Sequence, residues 1–443
     1  MDITAIILAA GKGTRMKSAL PKPLHHVGGR PMLAWSIDAA KAAHASTIIT
    51  VLGPKSKDIQ DWLNDTPFAI QHDQLGTGNA VAAAHDLAAG IDGVTLIMFA
   101  DTPLITAATL GELTASVRRG AAITIAAFEP ADPNGYGRLV KGDDGNILRI
   151  VEHNDANDAE RALSLCNGGI MAVRTPLLFE LLDQVTNDNA KGEFYLTDIV
   201  GLANMAGLPV DHVITPQSDV MGINDRRDLA AVEAELQIRL RNAAMDAGVT
   251  MSAPETVFLA ADAVIEQDVI IEPHVIIGTG CHIGEGSIIR AFSHLEGVTL
   301  GACCMIGPYA RLRPGTVADE GVRIGHFVEV KNTQLGAGAK ANHLTYLGDA
   351  EIGAAANIGA GTITCNYDGF SKYKTLIGEG AFIGSNSALV APVSIGTRAI
   401  IGAGSTITGD VAADSVAVSR APKTERSGAA KEFRDRRADV KKR

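Results

Sequence analysis

Long apolar segments and a positively charged, hydrophobic beginning are missing from this sequence of 443 residues. No apolar run approaches the roughly 20 residues that a membrane-spanning helix needs. The chain begins Met1-Asp2-Ile3, without the features of a secretory signal peptide. Its formal net charge of -11 argues against nucleic-acid binding, which usually requires a basic face. We therefore expect a cytoplasmic protein that binds neither nucleic acid nor a membrane.

Cysteine is also scarce, and its spacing is irregular. Five cysteines occur, with no C-x-x-C pair among them: Cys166, Cys281, Cys303, Cys304 and Cys365. This pattern gives no disulfide framework, so we expect reduced thiols. The composition, 46% hydrophobic and 20% charged, is that of a globular protein, and the length exceeds what one hydrophobic core usually supports. Two domains are the natural expectation.

The first part of the chain alternates short apolar runs with helical patterns. Runs at 3–10, 47–52, 94–100 and 121–128 predict buried strands, and residues 31–43 and 78–89 predict helices. Such alternation is typical of βαβ units, so residues 1–224 are expected to form an α/β domain with a doubly wound, Rossmann-like, mostly parallel sheet. Residues 225–247 are rich in helix formers and stop before Gly248, which predicts a linker helix.

A step of six residues dominates the rest of the chain, 248–443. Apolar side chains recur at this step at Ile377, Ile383, Leu389, Ile395, Ile401 and Ile407, commonly followed by small residues. This hexapeptide pattern predicts a parallel β-helix. An antiparallel sandwich is the alternative, but it would not need so strict a step. The step breaks at 312–346 and 359–376, where we expect projecting loops, and a basic, partly disordered tail closes the chain.

A glycine-rich string follows the first predicted strand. Leu8-Ala9-Ala10-Gly11 continues as Lys12-Gly13-Thr14-Arg15-Met16, and a Pro-Lys-Pro segment containing Lys22 comes shortly after. A glycine-rich turn between a strand and a helix lets backbone N–H groups approach phosphate oxygens. Arg15 and Lys22 add the cations that a triphosphate requires. The string is neither a Walker A loop nor a dinucleotide-binding fingerprint.

Asp101 directly follows the apolar run 94–100. Open α/β sheets bind ligands at the carboxyl ends of their strands, and an aspartate there can hold Mg²⁺ between phosphate oxygens. The alternative is that Asp101 only caps the next helix. In the second half, His343 is a candidate general base, because histidine has a pKa near neutrality. A structural or surface role for His343 is the alternative. Its neighbours in the sequence argue against that role, because Arg313 and Lys331 are candidates for a phosphate site and Glu329 is a candidate to orient the imidazole or hold an amine.

Together these strings resemble the family of bifunctional N-acetylglucosamine-1-phosphate uridyltransferases and glucosamine-1-phosphate acetyltransferases over nearly the whole chain. The resemblance implies a left-handed β-helix and a homotrimer with acetyltransferase sites between subunits. It also implies UTP, N-acetylglucosamine 1-phosphate, glucosamine 1-phosphate and acetyl-CoA as substrates, with Mg²⁺ as cofactor. The product would be UDP-N-acetylglucosamine, for cell-wall and lipopolysaccharide precursors.

The resemblance further implies roles for individual residues. For uridylyl transfer, it assigns Arg15 and Lys22 to catalysis, Asp101 and Asn224 to the metal, and the following to substrates: Leu8, Ala9, Ala10, Gly11, Gln71, Gly76, Thr77, Phe99, Ala100, Gly137, Glu152 and Asn167. For acetyl transfer, it assigns His343 and Glu329 to catalysis, Arg313, Lys331, Tyr346 and Asn357 to the sugar, and the following to acetyl-CoA: Ala360, Asn366, Tyr367, Ser385, Ala403 and Arg420. The family usually has Tyr-Gly-Asp where this chain has Phe99-Ala100-Asp101.

Two other functions are alternatives. In the first, the protein is a nucleotidyltransferase whose β-helix only builds the oligomer. The occurrence of His343 beside Glu329, Lys331 and Arg313 disfavours it. A non-catalytic assembly subunit is the second alternative, and the presence of Arg15 and Asp101 speaks against it.

Overall fold

A computed structural model describes residues 1–143 and 145–440. Contacts divide the chain into two compact units, which meet in sequence after Leu240. The division falls inside the long helix Arg226–Asp246, whereas the sequence analysis placed the domain boundaries at the two ends of such a helix. Within the described ranges, no helix combines the length and the apolar character needed to cross a bilayer.

The first unit is an α/β structure around a nine-stranded sheet. The strands of this sheet are β1 (Asp2–Ala9), β4 (Thr47–Leu52), β5 (Phe68–Ile70), β6 (Gly93–Phe99), β7 (Ile123–Phe128), β8 (Arg138–Lys141), β9 (Ile147–Val151), β10 (Cys166–Arg174) and β11 (Val210–Ile214). Two further strands, β2 (His26–Val27) and β3 (Arg30–Pro31), form a separate two-stranded sheet. The helices of this unit are α1 (Met32–Ala42), α2 (Lys57–Leu63), α3 (Thr77–Ala82), α4 (His85–Ala88), α5 (Ala107–Arg118), α6 (Asp158–Arg161), α7 (Thr175–Leu182) and α8 (Asp198–Met205). The long helix α9 (Arg226–Asp246) begins in this unit and ends in the second. Short 3₁₀ turns cover Thr14–Met16, Lys22–Leu24 and Gln217–Val220.

The main sheet has the order β11-β7-β10-β6-β1-β4-β5. Only β10 runs antiparallel to its neighbours on this path, β6 and β7. In β1, Ile6 and Leu8 enter one hydrophobic core while Ala5 and Ile7 enter the other. A strand that is buried on both faces needs apolar residues at every position, which explains the continuous apolar run at 3–10. The predicted mostly parallel α/β domain is confirmed.

Two predicted helices in this unit differ from the structure. The stretch 78–89 forms two short helices, α3 and α4, instead of one. The glycine-rich loop opens into the 3₁₀ turn Thr14–Met16 and not into a long helix. Gly13 (φ 60°) and Lys17 (φ 47°) bracket this turn in the left-handed region, and a right-handed helix cannot continue through such residues.

The second unit is a parallel β-helix. Its strands are β12 (Thr250–Met251), β13 (Phe258–Leu259), β14 (Val264–Ile265), β15 (Ile270–Ile271), β16 (Ile276–Ile277), β17 (His282–Ile283), β18 (Ile288–Ile289), β19 (His294–Leu295), β20 (Val298–Leu300), β21 (Met305–Ile306), β22 (Arg311–Leu312), β23 (Thr316–Ala318), β24 (Arg323–His326), β25 (Glu329–Leu335), β26 (Lys340–His343), β27 (Tyr346–Ile352), β28 (Asn357–Ile358), β29 (Ile363–Cys365), β30 (Thr375–Ile377), β31 (Phe382–Ile383), β32 (Ala388–Val390), β33 (Val393–Ile395), β34 (Ile400–Ile401), β35 (Thr406–Ile407) and β36 (Val416–Ala417). A 3₁₀ turn covers Pro254–Thr256.

One face of the β-helix is the ten-stranded sheet that starts at β12 and ends at β36, and the other strands form a fifteen-stranded sheet. Each strand pairs in parallel with its counterpart in the next coil, usually 17 or 18 positions on, as Ile271 pairs with Ile289. The inward residues stack into a buried column, and Ile277, Ile283 and Ile289 are all fully buried. This is how a step of six becomes a core: each coil contributes one apolar residue per face.

The prediction of a projecting loop at 312–346 is wrong. Leu312, Val330 and Leu347 pair in successive coils, so the β-helix continues through this stretch. The apolar step is lost because polar residues take inward positions, and the buried Thr316 and Thr333 satisfy their hydroxyls on backbone carbonyls. At the second break, Ile358 pairs with Ile383, 25 positions on, so extra residues form a loop at 366–374, as expected.

The basic tail contains an exposed helix, α10 (Ala429–Val440), where the sequence analysis expected a partly disordered segment. All five cysteines are free thiols, as expected.

Candidate active sites

A cavity of about 480 Å³ opens beside the carboxyl ends of β1 and β6 in the first unit. These strands are neighbours, with Leu8 paired to Phe99, so the loop after β1 and the residues after β6 meet at one edge of the sheet. The cavity contains most of the residues predicted for the nucleotide, namely Leu8, Ala10, Gly11, Arg15, Lys22, Gln71, Gly76, Thr77, Phe99, Asp101 and Asn224.

Two cation–oxygen pairs form one wall of this cavity. Lys22 Nζ lies 2.5 Å from Asp101 Oδ2, and Arg15 donates a hydrogen bond of 2.9 Å to the side-chain oxygen of Asn224. Asp101 and Asn224 thus present a carboxylate and an amide oxygen, which are ligands that Mg²⁺ accepts. No group of three or more His, Cys, Asp or Glu side chains suited to a metal occurs among the described residues. Two oxygen ligands fit Mg²⁺, because this ion usually keeps several waters and binds substrate phosphates.

Gln71 also lines the cavity, and hydrogen bonds hold its side chain in place. Its side chain is buried, and its amide nitrogen donates to Gly76 O (2.9 Å) and to Asn79 Oδ1 (2.8 Å). Gly76 has φ 113°, and a Cβ there would lie 2.6 Å from Phe194 O, so the position requires glycine. Thr77 begins α3 and accepts a hydrogen bond from Leu196 N.

The residues predicted to bind the sugar, Gly137, Glu152 and Asn167, do not line this cavity. Asn167 N donates to Gly137 O (2.9 Å), and Glu152 accepts a hydrogen bond from Thr197 (3.1 Å). Beside them, the buried hydroxyl of Tyr195 has no hydrogen-bond partner in the described chain. Burial, followed by the nearby charges of acidic side chains that include Glu152, raises the pKa of Tyr195 to about 12. An unsatisfied buried hydroxyl beside a carboxylate is suited to a polar ligand.

Ala9 and Ala100 lie outside the lining of the main cavity. Both are buried in the hydrophobic core behind it, and Ala100 N donates to Leu8 O. Ala9 and Ala100 also line a small cavity of about 40 Å³ that shares Lys22 and Asp101 with the first one, so the methyl group of Ala100 lies between the core and the candidate site.

Six residues that line the cavity had no role predicted for them: Lys12, Gly13, Thr14, Gln74, Ala80 and Glu193. The first three belong to the glycine-rich string, so the sequence pattern did point to their segment. Gln74 donates a hydrogen bond to Ala10 O and so supports the loop. Glu193 comes from a loop distant in sequence, and no pattern pointed to it.

In the second unit, five residues occupy the same corner of successive coils, and we call them the corner row: His326, His343, Ala360, Ser385 and Ala403. Backbone hydrogen bonds join successive coils at this corner. Leu344 N donates to His326 O (3.0 Å), Gly361 N to His343 O (3.4 Å), Asn386 N to Ala360 O (2.7 Å) and Gly404 N to Ser385 O (2.8 Å). These donors have φ values from 51° to 76°, so a left-handed residue turns the chain at every corner. Arg420 closes the row by donating to Ala403 O (2.5 Å).

A cationic patch lies around the strands that follow this corner. Arg313 forms an ion pair of 2.8 Å with Glu329, which is therefore bound to arginine rather than to His343. A hydrogen-bonding contact with Lys372, followed by repulsion from the charges of Lys372 and Arg313, lowers the pKa of Lys331. Arg313, Lys331 and Lys372 thus form a cluster of three cations with one carboxylate, a charge arrangement suited to an anion such as phosphate. Lys372 was missed because it lies in the loop at 366–374.

Asp349 organises the polar side chains next to this patch. It accepts hydrogen bonds from Asn366 (2.5 Å) and Asn332 (2.6 Å). Burial alone would raise the pKa of Asp349, but these bonds and the charges of Lys372 and Lys331 outweigh burial and lower it. A Cβ on Gly348 would lie 2.4 Å from the hydroxyl of Tyr346 and 2.8 Å from the amide of Asn366, so both predicted residues lie close to Gly348.

The remaining predicted residues are placed differently. Tyr367 is exposed in the loop at 366–374 and donates to Gly369 O (2.6 Å). Asn357 lies on β28, before the corner, where it pairs with Lys340 and Phe382. His343 does not contact Glu329 but lies against His326, a histidine that the sequence analysis did not single out.

The sequence matches two protein families. Residues 5–180 match the MobA-like NTP transferase domain, and residues 262–297 and 374–409 match the bacterial transferase hexapeptide (six repeats), consistent with the left-handed parallel β-helix. Among solved structures, UDP-glucose pyrophosphorylase complexed with UDP-glucose aligns with 54% of this chain and 100% of its own, at 17% identity and a TM-score of 0.46. That likeness is too low to support any statement about this protein.

Curated relatives match over the full length. The bifunctional protein GlmU of Sphingopyxis alaskensis is 52% identical over 438 residues, which cover 98% of this chain and 96% of the relative. The bifunctional protein GlmU of Acidiphilium cryptum is 54% identical over 435 residues, with 98% and 99% covered. At this identity and coverage, and with both domain matches in the same order as the two units, the chain belongs to the bifunctional GlmU protein family.

Proposed function

We propose that this protein catalyses two reactions in sequence on one sugar. The second unit acetylates glucosamine 1-phosphate with acetyl-CoA, and the first unit transfers UMP from UTP to the resulting N-acetylglucosamine 1-phosphate. UDP-N-acetylglucosamine and pyrophosphate are the final products. The observation that carries this proposal is that one chain contains two sets of functional groups. The first unit has a cavity lined by Arg15, Lys22 and Asp101, which suits phosphates, and the second unit has His343 next to the cationic patch.

In uridylyl transfer, the sugar phosphate attacks the α-phosphorus of UTP and pyrophosphate leaves. Arg15 and Lys22 neutralise the triphosphate, and the backbone of the loop around Gly11 approaches its oxygens. Gln71 and Gly76 receive the uracil, while Glu152 and Asn167 hold the sugar. The phosphate needs no base to act as a nucleophile, so this unit works by positioning and charge neutralisation.

Asp101 and Asn224 are the residues that would hold Mg²⁺ in this reaction. Bound there, the ion supplies positive charge to the phosphates. The short contact of Lys22 with Asp101 supports this assignment, because it keeps the carboxylate at the wall of the cavity where the phosphates bind.

In acetyl transfer, Arg313, Lys331 and Lys372 bind the sugar phosphate. His343 takes a proton from the ammonium group of glucosamine 1-phosphate, and the freed amine attacks the thioester carbonyl. The C–S bond breaks, and CoA leaves as the thiolate, which takes up a proton. Asn366 and Tyr346, held near Gly348, contact the reacting groups.

Acetyl-CoA is expected to lie along the corner row. Ala360, Ser385 and Ala403 present backbone groups at regular steps, as a strand edge does for an added strand. Arg420, at the end of the row, binds a phosphate of CoA. We infer a homotrimer with this site between subunits, supported by exposed apolar side chains on the β-helix such as Phe382, Ile400 and Val416. Since UTP and acetyl-CoA are cytoplasmic metabolites, we infer a cytoplasmic protein.

The test is a pair of assays on the purified full-length chain. Release of pyrophosphate is measured with UTP, N-acetylglucosamine 1-phosphate and Mg²⁺, and release of CoA is measured with acetyl-CoA and glucosamine 1-phosphate. Both products are expected. Pyrophosphate release without CoA release would support the single nucleotidyltransferase instead, and the absence of both would support a non-catalytic subunit.

A further inference from the structure

We infer that His326 is a positioning residue for acetyl transfer, which accepts a hydrogen bond from Nδ1 of His343 and thereby leaves Nε2 of His343 free to act as the base. The inference rests on the acetyl transfer proposed above and adds a second imidazole to it. His326 and His343 are adjacent members of the corner row, and they are register partners in β24 and β26.

The two rings are close enough for one hydrogen bond. Nδ1 of His343 lies 3.2 Å from Nε2 and 3.3 Å from Nδ1 of His326. The ring centroids are 4.5 Å apart, and the planes are inclined by 67°. A neutral imidazole carries one N–H and one acceptor nitrogen, so one ring donates and the other accepts.

His326 is held in place by its neighbours. Its ring meets Phe327 edge-on at 5.7 Å. Phe327 in turn stacks on Tyr309, Tyr309 on Phe292, and Phe292 on His274, with centroids 4.8 to 5.2 Å apart. This aromatic ladder (His274, Phe292, Tyr309, Phe327) runs along the same corner and restricts lateral movement of His326. The partner of His343 is therefore positioned by packing before any substrate binds.

The hydrogen bond selects the tautomer of His343 that acetyl transfer requires. An imidazole can accept the ammonium proton only at a nitrogen that carries no hydrogen. The hydrogen bond made by one ring nitrogen determines which tautomer is present. If Nδ1–H of His343 donates to His326, Nε2 keeps its lone pair and takes the proton. The imidazolium that forms still donates to neutral His326, which stabilises its charge.

Kinetics of the full-length protein test the inference with two variants of His326. His326→Phe keeps an aromatic ring but cannot accept a hydrogen bond, and we expect kcat of acetyl transfer to fall about 10- to 100-fold, the same range as the loss when the hydrogen-bond partner of a metal-bound imidazole is removed. KM values should change little, because His326 is not proposed to touch either substrate. His326→Gln retains an acceptor oxygen and should recover most of kcat.

A matched control is His282→Phe, the same substitution at another histidine of the β-helix, which pairs with Glu266 and lies outside the aromatic ladder; it should leave acetyl transfer unchanged. Wild-type kcat in His326→Phe would overturn the inference, as would a loss in His326→Gln equal to that in His326→Phe. Thermal unfolding identifies a variant that has only lost structure. If His343→Ala itself keeps full acetyl transfer, the proposed function of this site fails; if only His326→Phe is fully active, the positioning role alone fails.

Discussion

Each unit has an ion pair at its candidate site, and a substitution in either partner also alters the other. Lys22 with Asp101 and Arg313 with Glu329 each place a cation against a carboxylate at a candidate site. Anions that enter these sites compete with the carboxylates for the same cations. Replacing one partner changes the charge offered to substrate as well as the contact itself.

Lys372 provides a test at this scale. Lys372→Met keeps much of the side-chain length but removes one of the three cations near the proposed sugar phosphate. We expect KM for glucosamine 1-phosphate to rise about 10-fold, the low end for a charge-assisted hydrogen bond, with little change in KM for acetyl-CoA. Steady-state kinetics with each substrate varied in turn measures both values. Lys374→Met is the control, because Lys374 pairs with Glu351. An unchanged KM in Lys372→Met would place the phosphate elsewhere.

Some residues of the candidate sites were readable from sequence, and others were not. Asp101 was readable because it ends an apolar run, and the end of a buried strand is where a parallel sheet binds ligands. Lys372 and Glu193 were not, because each reaches its neighbours only through a loop whose path depends on the whole fold. His326 was missed because strand register, and not local spacing, brings it next to His343.

Among the structural elements, the loop after β1 depends most on backbone conformation. Gly13 adopts φ 60°, and a Cβ at this position would lie 2.7 Å from Cβ of Lys22. Because Cβ of Lys22 is close to the backbone, the clash cannot be relieved by rotating the end of a side chain. The loop and the 3₁₀ turn at Lys22–Leu24 must therefore move together.

Gly13→Ala should destabilise the protein and impair uridylyl transfer. The left-handed conformation costs a non-glycine residue about 1–2 kcal/mol, and the displacement of Lys22 removes a cation from the cavity. Thermal unfolding and pyrophosphate release are the measurements, and acetyl transfer should persist. For stability the control is Gly11→Ala, since no atom lies within 4 Å of a Cβ there. Equal stability and uridylyl transfer in wild type and Gly13→Ala would contradict this account of the loop.

The elements themselves were predicted unevenly. The strands of the first unit were found because both of their faces are buried, which produces continuous apolar runs. In the β-helix, the step of six located most coils but failed at 312–346, where Thr316, Thr333 and Ala341 occupy inward positions. The β-helix tolerates them because threonine hydroxyls bond to carbonyls within the coil, and such bonds leave no mark in a hydropathy pattern.

At the scale of the whole molecule, the proposed catalytic groups fall in two different units. Asp101 belongs to the first unit and His343 to the second. No step of either proposed reaction uses a residue of the other unit. The two activities should therefore be separable by single substitutions.

His343→Ala should lower acetyl transfer by about 100-fold or more, the contribution of a general base. Uridylyl transfer should remain at the wild-type rate, because it uses no residue of the β-helix. The two assays of pyrophosphate and CoA release measure this directly. Loss of both activities in a folded His343→Ala variant would show that the two sites are not independent.

Asp101→Ala should have the opposite effect. It removes a proposed Mg²⁺ ligand and leaves Lys22 without its carboxylate, so uridylyl transfer should fall by about 100-fold or more. Acetyl transfer should be unchanged. Asp101→Asn is a useful second variant, because it keeps an oxygen ligand while removing the charge. Wild-type pyrophosphate release by Asp101→Ala would exclude the proposed metal site.

The regular spacing of the corner row has a consequence for the length of the co-substrate. Parallel strands lie about 4.8 Å apart, so the three steps from His343 to Ala403 span about 14 Å. This fixed distance selects the length of the acyl donor. A donor whose thioester reaches His343 also contacts Arg420 only if the chain between its thioester and its phosphate is about that long. The loop at 366–374 adds residues between Ala360 and Ser385 without changing the distance between them, because this distance is set by the stacking of coils and not by the number of residues. Short synthetic thioesters would thus reach the histidine but gain nothing from the arginine.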